Sequence, residues 1–265
     1  MTARAGSAAF LAGQVATIAR RSVWRTLRQP GLMVANVTFP LLLLAVNSNG
    51  LRAATNLPGF PTSSFLDFFL PFSFLQGAIF AALVAGTDLG RDIDTGFLNR
   101  LALTPMHGAA LLFGQLGGAL VLAAVQAAVY LSVGVAGGAR FEAGPGGIVV
   151  FALLALAVAL GFGALGLVLA LRAGSGEGVQ SSFPFLFFLL FVSSMNLPRN
   201  LIEVEWFRVA ATINPVSYMI EGMRSLIIEG WNGQALVLGF VFAFALAVLG
   251  LASAALALRT RMVRT

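Results

Sequence analysis

Positions 86–106 read GTDLGRDIDTGFLNRLALTPM, a short run that gathers Asp88, Arg91, Asp92, Asp94 and Arg100. Acids and arginines at i,i+3 and i,i+4 spacing pair across a helix surface or bind charged partners. On a helix, Leu89, Ile93, Phe97 and Leu101 form one apolar stripe, and Asp88, Arg91, Asp92 and Asp94 take the remaining surface. The chemistry on offer is recognition: a charged face for a soluble partner, with Gly96 lacking the Cβ that would hold a partner backbone away. A helix end with solvated charges has the same pattern, so spacing alone leaves both readings open.

Covalent chemistry finds little material. All sixteen basic residues are arginine, cysteine is absent, and His107 is the single histidine. A His-based triad, a two-His metal site, a thiolate nucleophile and a phosphate-loop lysine are therefore excluded within this chain. No catalytic residue, no metal site and no cofactor bound by this chain are expected. His107 reads as a solvated loop residue and Asp67 as a marker of a membrane boundary.

These residues must be positioned by membrane helices. Charges divide the chain into six uncharged stretches, 29–51, 68–87, 101–139, 143–171, 178–198 and 230–258. Each reaches the roughly 20 residues that a bilayer core requires. Composition agrees, with 58% hydrophobic residues, 10% charged residues and a mean hydropathy of +0.92. The expected fold is all-α: one polytopic membrane domain, 1–265, with six transmembrane helices at about 31–50, 66–87, 109–136, 147–171, 178–197 and 234–258. Thr104-Pro105 delays the third span to about residue 109.

Residues 7–28 fit an amphipathic interfacial helix, with Val15, Ala16, Ala19, Val23 and Leu27 on one side and Arg21, Arg25 and Arg28 on the other. No cleavable leader is expected, because five arginines and no continuous apolar core occupy the first 28 residues. With both termini inside, eleven arginines lie on the cytoplasmic side and five outside. The pI near 11.4 thus reads as an orientation signal, and no nucleic-acid partner is expected. Between the last two spans, residues 199–229 are too charged to cross, and Asn214-Pro215 divides them into two short re-entrant helices on the outer side. Glu221 and Arg224, three apart, are expected to pair with each other or cap the short outer helix.

Two motifs in order resemble a known family. Gly86, Asp88, Arg91, Asp92, Gly96, Arg100, Leu101 and Pro105 keep the spacing of the segment after the second span of ABC-2-type transporter permeases. The run Asn214-Pro215-Val216-Ser217-Tyr218, with Glu221, Arg224 and Ser225, resembles that family's motif before the last span. Within the family the chain is most similar to drug-exporter permeases of the daunorubicin-resistance type. One departure is Asp92, where many members carry glutamate.

The resemblance implies an ABC exporter permease in the bacterial cytoplasmic membrane. It would move a hydrophobic or amphiphilic small molecule, or a lipid-linked substrate, out of the cytoplasm or inner leaflet. Polysaccharide or glycolipid export by the same family is the alternative. An ion-coupled secondary transporter fits less well, because no ionisable residue lies mid-span. Two copies of a separate ABC ATPase, carrying ATP and Mg, and a second permease in a homo- or heterodimer are the implied partners. Asp88, Arg91, Asp92, Asp94, Gly96, Arg100 and Pro105 would form the coupling helix that meets the ATPase. Glu177 is either a second ATPase contact or a turn carboxylate. Phe69, Phe72, Phe183 and Phe187 would border the substrate path, although membrane phenylalanines commonly face lipid or neighbouring helices. Asn214, Pro215, Tyr218, Glu221 and Arg224 form the outer-helix motif.

Overall fold

The computed structural model describes residues 8–104 and 106–263. They form helices with no strand among them: α1 (Ala8–Leu27), α2 (Pro30–Gly50), α3 (Phe65–Asp94), α4 (Phe97–Ala102), α5 (Gly108–Ala136), α6 (Gly144–Ala173), α7 (Gly176–Ser181), α8 (Phe183–Phe191), α9 (Glu205–Ile213), α10 (Pro215–Ile228) and α11 (Gly233–Val263). Five of these, α2, α3, α5, α6 and α11, are long and apolar enough to cross a membrane. These five helices overlap five of the six expected stretches, with α3 running to residue 94 and α11 to residue 263, past the expected ends at 87 and 258.

The stretch expected to form the fifth span behaves differently. It makes two short helices, α7 and α8, parted at Ser182, and leaves helix after Phe191. Pro184 accounts for the break: it has no N–H for the carbonyl four residues back, and its ring crowds that carbonyl. A new helix beginning within two residues of proline avoids both costs, and Pro184 lies at that position of α8.

α3 is the most enclosed element, packing against α2, α5, α6, α7 and α10, while α6 lies between α3 and α11 and α1 lies along α5. Close approach is set by small residues. A Cβ on Gly166 of α6 would overlap the Ala82 carbonyl of α3. On α5, Gly114 and Gly118 admit Ile18, Ser22 and Thr26 of α1, all buried. Ser22 Oγ donates to the Gln115 carbonyl at 3.0 Å and accepts from the Gly118 N–H at 3.1 Å, so α1 is hydrogen-bonded as well as packed.

The bundle has two polar ends. At one, α1, the end of α3 and the start of α7 meet; Arg261 of α11 also donates there to the Leu171 carbonyl at 3.0 Å. At the other, the Glu142 and Ala143 N–H groups donate to the carbonyls of Ile227 and Leu226 at 3.2 and 3.1 Å, and Arg224 of α10 reaches the first turn of α3. Between residues 176 and 195 the chain passes from the first end, where Gly176 lies on α3, to the second, where Ser194 and Met195 meet Arg224.

Candidate partner-docking site

The charged segment 88–100 is not one helix. α3 runs unbroken to Asp94, Gly96 adopts a left-handed conformation at φ 66°, and α4 starts at Phe97. Side chains with a Cβ rarely adopt that backbone conformation, which explains the glycine. A Cβ there would meet nothing within 4 Å in this chain, so within the subunit the glycine answers to backbone conformation.

The expected charged surface is also divided. Asp88 and Asp92 are 3% and 2% exposed and face α1. Both Asp92 oxygens are occupied. Arg21 donates to them at 2.6 and 2.7 Å, Arg25 at 2.8 Å and the Gln115 amide at 2.7 Å. Arg25 also donates to the Asp88 carbonyl at 3.0 Å and lies 3.5 Å from its carboxylate. Burial works against the Arg25 charge, yet Asp92 and Asp88 outweigh it and hold its pKa above the ordinary arginine value. Arg21 additionally stacks over the Phe97 ring at 4.0 Å, joining α1 to α4. Asp88 and Asp92 are thus corrected from partner-facing groups to the internal tie between α1 and α3. The reason is helical phase: four residues apart, they share the face that α1 and α5 cover. The same contacts correct the reading of α1, since Arg21 and Arg25 point into the protein.

Arg91, Asp94, Arg100 and Glu177 remain at the surface. Asp94 accepts the Gly176 N–H at 3.1 Å, which brings the start of α7, and with it Glu177, beside the end of α3. That meeting depends on Gly90, where a Cβ would stand 2.6 Å from the Gly176 nitrogen. Pro105 lies outside the described residues.

At the opposite end the expected Glu221–Arg224 pair does not form. Arg199 stacks over the Tyr218 ring at 4.5 Å and reaches Glu221 at 2.5 Å. Arg224, 6% exposed, turns to the other side of α10. There it donates to the carbonyls of Phe68, Ser194 and Met195 at 3.0, 3.1 and 3.3 Å and covers the Phe68 ring at 3.5 Å. Burial lowers its pKa to about 9, so it stays charged at neutral pH. Asn214 caps α10 by accepting the Val216 N–H at 2.9 Å, and its amide donates to the carbonyls of Leu189 and Val192, each at 2.6 Å. Pro215 opens the helix. The motif thus fastens α10 to the end of α8 and the start of α3.

The phenylalanines divide as well. Phe69 and Phe72 are each 1% exposed, with ring centroids 4.6 Å apart inside the chain, so they border no open path in the single subunit. Phe183 and Phe187 of α8 are half-buried against Phe80. A polar group between the helices was not expected from the pattern of charges. The Gln126 amide and Tyr130 hydroxyl both donate to the Asn36 carbonyl at 3.2 Å, and Gln76, fully buried, has neither amide atom paired. Polar uncharged residues at mid-stretch were the available signal.

The matching region of a family model takes in both polar ends. Residues 13–228 match the ABC-2 type transporter model. The chain belongs to the ABC-2 type transporter family. With five apolar helices of spanning length, it is a membrane protein. It is similar to the daunorubicin resistance ABC transporter permease protein DrrB1 of Streptomyces coeruleorubidus, 28% identical over 171 residues, 63% of this chain and 59% of that protein. It is also similar to the putative transport permease ycf38 of Porphyra purpurea, 25% identical over 227 residues, 83% of this chain and 76% of that one. The chain therefore spans less than two thirds of the first of these relatives. The ABC-2 match includes α1 from residue 13 through α10 and stops before α11.

Proposed function

We propose that this chain is the permease subunit of an ATP-driven exporter in the bacterial cytoplasmic membrane, paired with a second permease chain and two copies of a separate ABC ATPase. The observation that carries the reading is the Asp94–Gly176 contact, which gathers Arg91, Asp94 and Glu177 at one end of the bundle, with Arg100 exposed on the adjoining α4. A mixed-charge surface of this kind suits a soluble partner. The name of the Streptomyces relative supports a hydrophobic, drug-like cargo.

In this reading the chain crosses six times, with α7, α8 and the turn after them making the fifth crossing, and both termini are cytoplasmic. Residues 176–195 would cover roughly 30 Å at 1.5 Å per residue if fully helical, about the thickness of the bilayer core. α1 lies at the cytoplasmic interface, and α9 and α10 on the outer side.

The test is co-purification and transport. Expressed with its partner ATPase, the chain should support ATP-dependent export from inverted vesicles. R91A/R100A should weaken ATPase association while leaving the purified permease monodisperse. Wild-type association and export in that double variant would remove the docking role. Cysteines can be placed directly, because the chain has none. An impermeant outside label should reach Asn56→Cys and miss Gln180→Cys in intact cells, and the reverse pattern would invert the topology.

A further inference from the structure

α1 has three faces, and the protein covers only one of them. Ile18, Ser22 and Thr26 pack on α5, with Arg21 and Arg25 reaching Asp92 beside them. Ala12, Ala16, Val23 and Leu27 make a second, apolar face, with Leu27 44% exposed. The third is basic: Arg20, Arg21, Trp24 and Arg28, with Ala16 and Thr17, line an open groove of about 780 Å³. Trp24 is 54% exposed and the Arg28 guanidinium lies 5.7 Å from its ring centroid. Among the described residues, Arg20 and Arg28 have no carboxylate within ion-pair distance.

We propose that this groove binds the phosphate of an anionic phospholipid whose acyl chains lie along the Ala12–Ala16–Val23–Leu27 face. The two faces meet at Ala16, so one amphiphile can satisfy both. A phosphate takes hydrogen bonds from guanidinium groups, a tryptophan at the boundary suits the headgroup level, and hydrocarbon covers the apolar face. A soluble acidic protein would match the arginines and leave that face in water. Arg21 lines the groove and also holds Asp92, so the lipid phosphate sits one side chain away from the tie between α1 and α3. The bound lipid thereby supports the geometry of the segment assigned to ATPase docking. This inference rests on the membrane placement of α1 proposed above, and on neither the cargo nor the ATPase.

The experiment uses the full chain carrying W206F/W231F, which leaves Trp24 as the one tryptophan. It is reconstituted in mixed phosphatidylcholine and phosphatidylglycerol bilayers, with one or the other lipid brominated in its acyl chains. Trp24 should be quenched more strongly by brominated phosphatidylglycerol at equal mole fraction. R20Q/R28Q, which spares Arg21, should lower that preference about 30-fold, the factor given by two arginines at about 1 kcal/mol each. R20K/R28K should retain most of it. Helical circular dichroism and gel-filtration profile establish that each variant is folded. Equal quenching by the two lipids overturns the phosphate site while leaving α1 at the membrane. No quenching by either overturns the site and the membrane placement together. A preference unchanged in R20Q/R28Q, with loss of ATPase co-purification, assigns the groove to a protein instead.

Discussion

Arg21 of α1 grips Asp92 of α3 through two hydrogen bonds, 2.6 and 2.7 Å, across 71 positions of sequence. The pairing is bidentate, the strong form of an arginine–carboxylate contact, and Arg25 and Gln115 complete the carboxylate's shell. It makes the N-terminal helix part of the same body as the end of α3. A force applied to Arg91 or Arg100 is shared by α1, α3 and α4.

Asp92→Ala should therefore weaken the fold. It leaves two arginines facing a cavity without their carboxylate. Because Arg21 is 34% exposed, the cost falls at or below the lower end of the about 3–5 kcal/mol seen for broken buried pairs. Thermal unfolding in detergent should show a clear loss for Asp92→Ala. Arg91→Ala and Arg100→Ala, at the surface, should stay within about 0.5 kcal/mol of the parent. Equal melting of all three variants would mean that Asp92 is a docking residue and not a tie.

At Gly96 the limiting factor is backbone conformation. Gly96→Ala should cost about 1–2 kcal/mol for placing a Cβ in the left-handed region, and Gly96→Asn less. Gly96→Leu should resemble Gly96→Ala, since the space around the position is open. Chemical unfolding of the three variants checks the order. A much larger loss for leucine than for alanine would reveal a neighbour at that site.

Gly90 gives the opposite pattern. Its added Cβ would press on the Gly176 backbone, which cannot rotate away. Gly90→Ala should cost about 1–3 kcal/mol from overpacking and displace α7. The readout is faster labelling of Gln180→Cys in the Gly90→Ala background. Unchanged labelling with unchanged stability would mean that the α3–α7 contact yields easily.

Removing Arg224 should leave the Ser194 and Met195 carbonyls without their donor, while the Phe68 carbonyl keeps its place in the α3 ladder. Arg224→Met keeps the bulk and loses the donors, at about 1–3 kcal/mol for each group left buried and unpaired. Arg199→Ala, breaking a partly exposed pair, should cost no more than about 1 kcal/mol. Protease accessibility of the loop before α9 measures the difference. Similar digestion of the two variants would place Arg224 among dispensable contacts.

Most helices could be read from the chain because charge-free length is a direct requirement of a bilayer. α2, α5 and α6 start and stop within three residues of the expected bounds, and α11 starts within one but runs to residue 263. The two short helices around Asn214-Pro215 were likewise visible, since proline starts a helix and asparagine caps it. Hydropathy did not show the break at Ser182, because the stretch carries no charge after Glu177 and only the backbone requirement of Pro184 parts α7 from the apolar α8. The site was half legible. Spacing identified Asp88, Asp92, Glu221 and Arg224 as special, but it could not identify their partners. Arg21 and Arg25 lie more than 60 positions from Asp88 and Asp92, and Arg199 lies 22 from Glu221. Local i,i+3 pairing was the wrong competitor because tertiary partners enclosed the charges more fully.

α3 is one rod of 30 residues, about 45 Å long, clasped at both extremities by arginines that belong to other helices. Between them, the Gly166–Ala82 crossing presses it against α6 and can serve as a pivot. From Ala82 to Asp92 is about 15 Å, and from Ala82 to Phe68 about 21 Å. If the rod tilts about that point, a 1 Å displacement at Asp92 appears at Phe68 as about 1.4 Å in the reverse direction, by the ratio of those arms. Paired spin labels near positions 68 and 92 would register the two swings as opposite changes in distance to α6. The mechanical advantage lies in where two small residues let the helices touch.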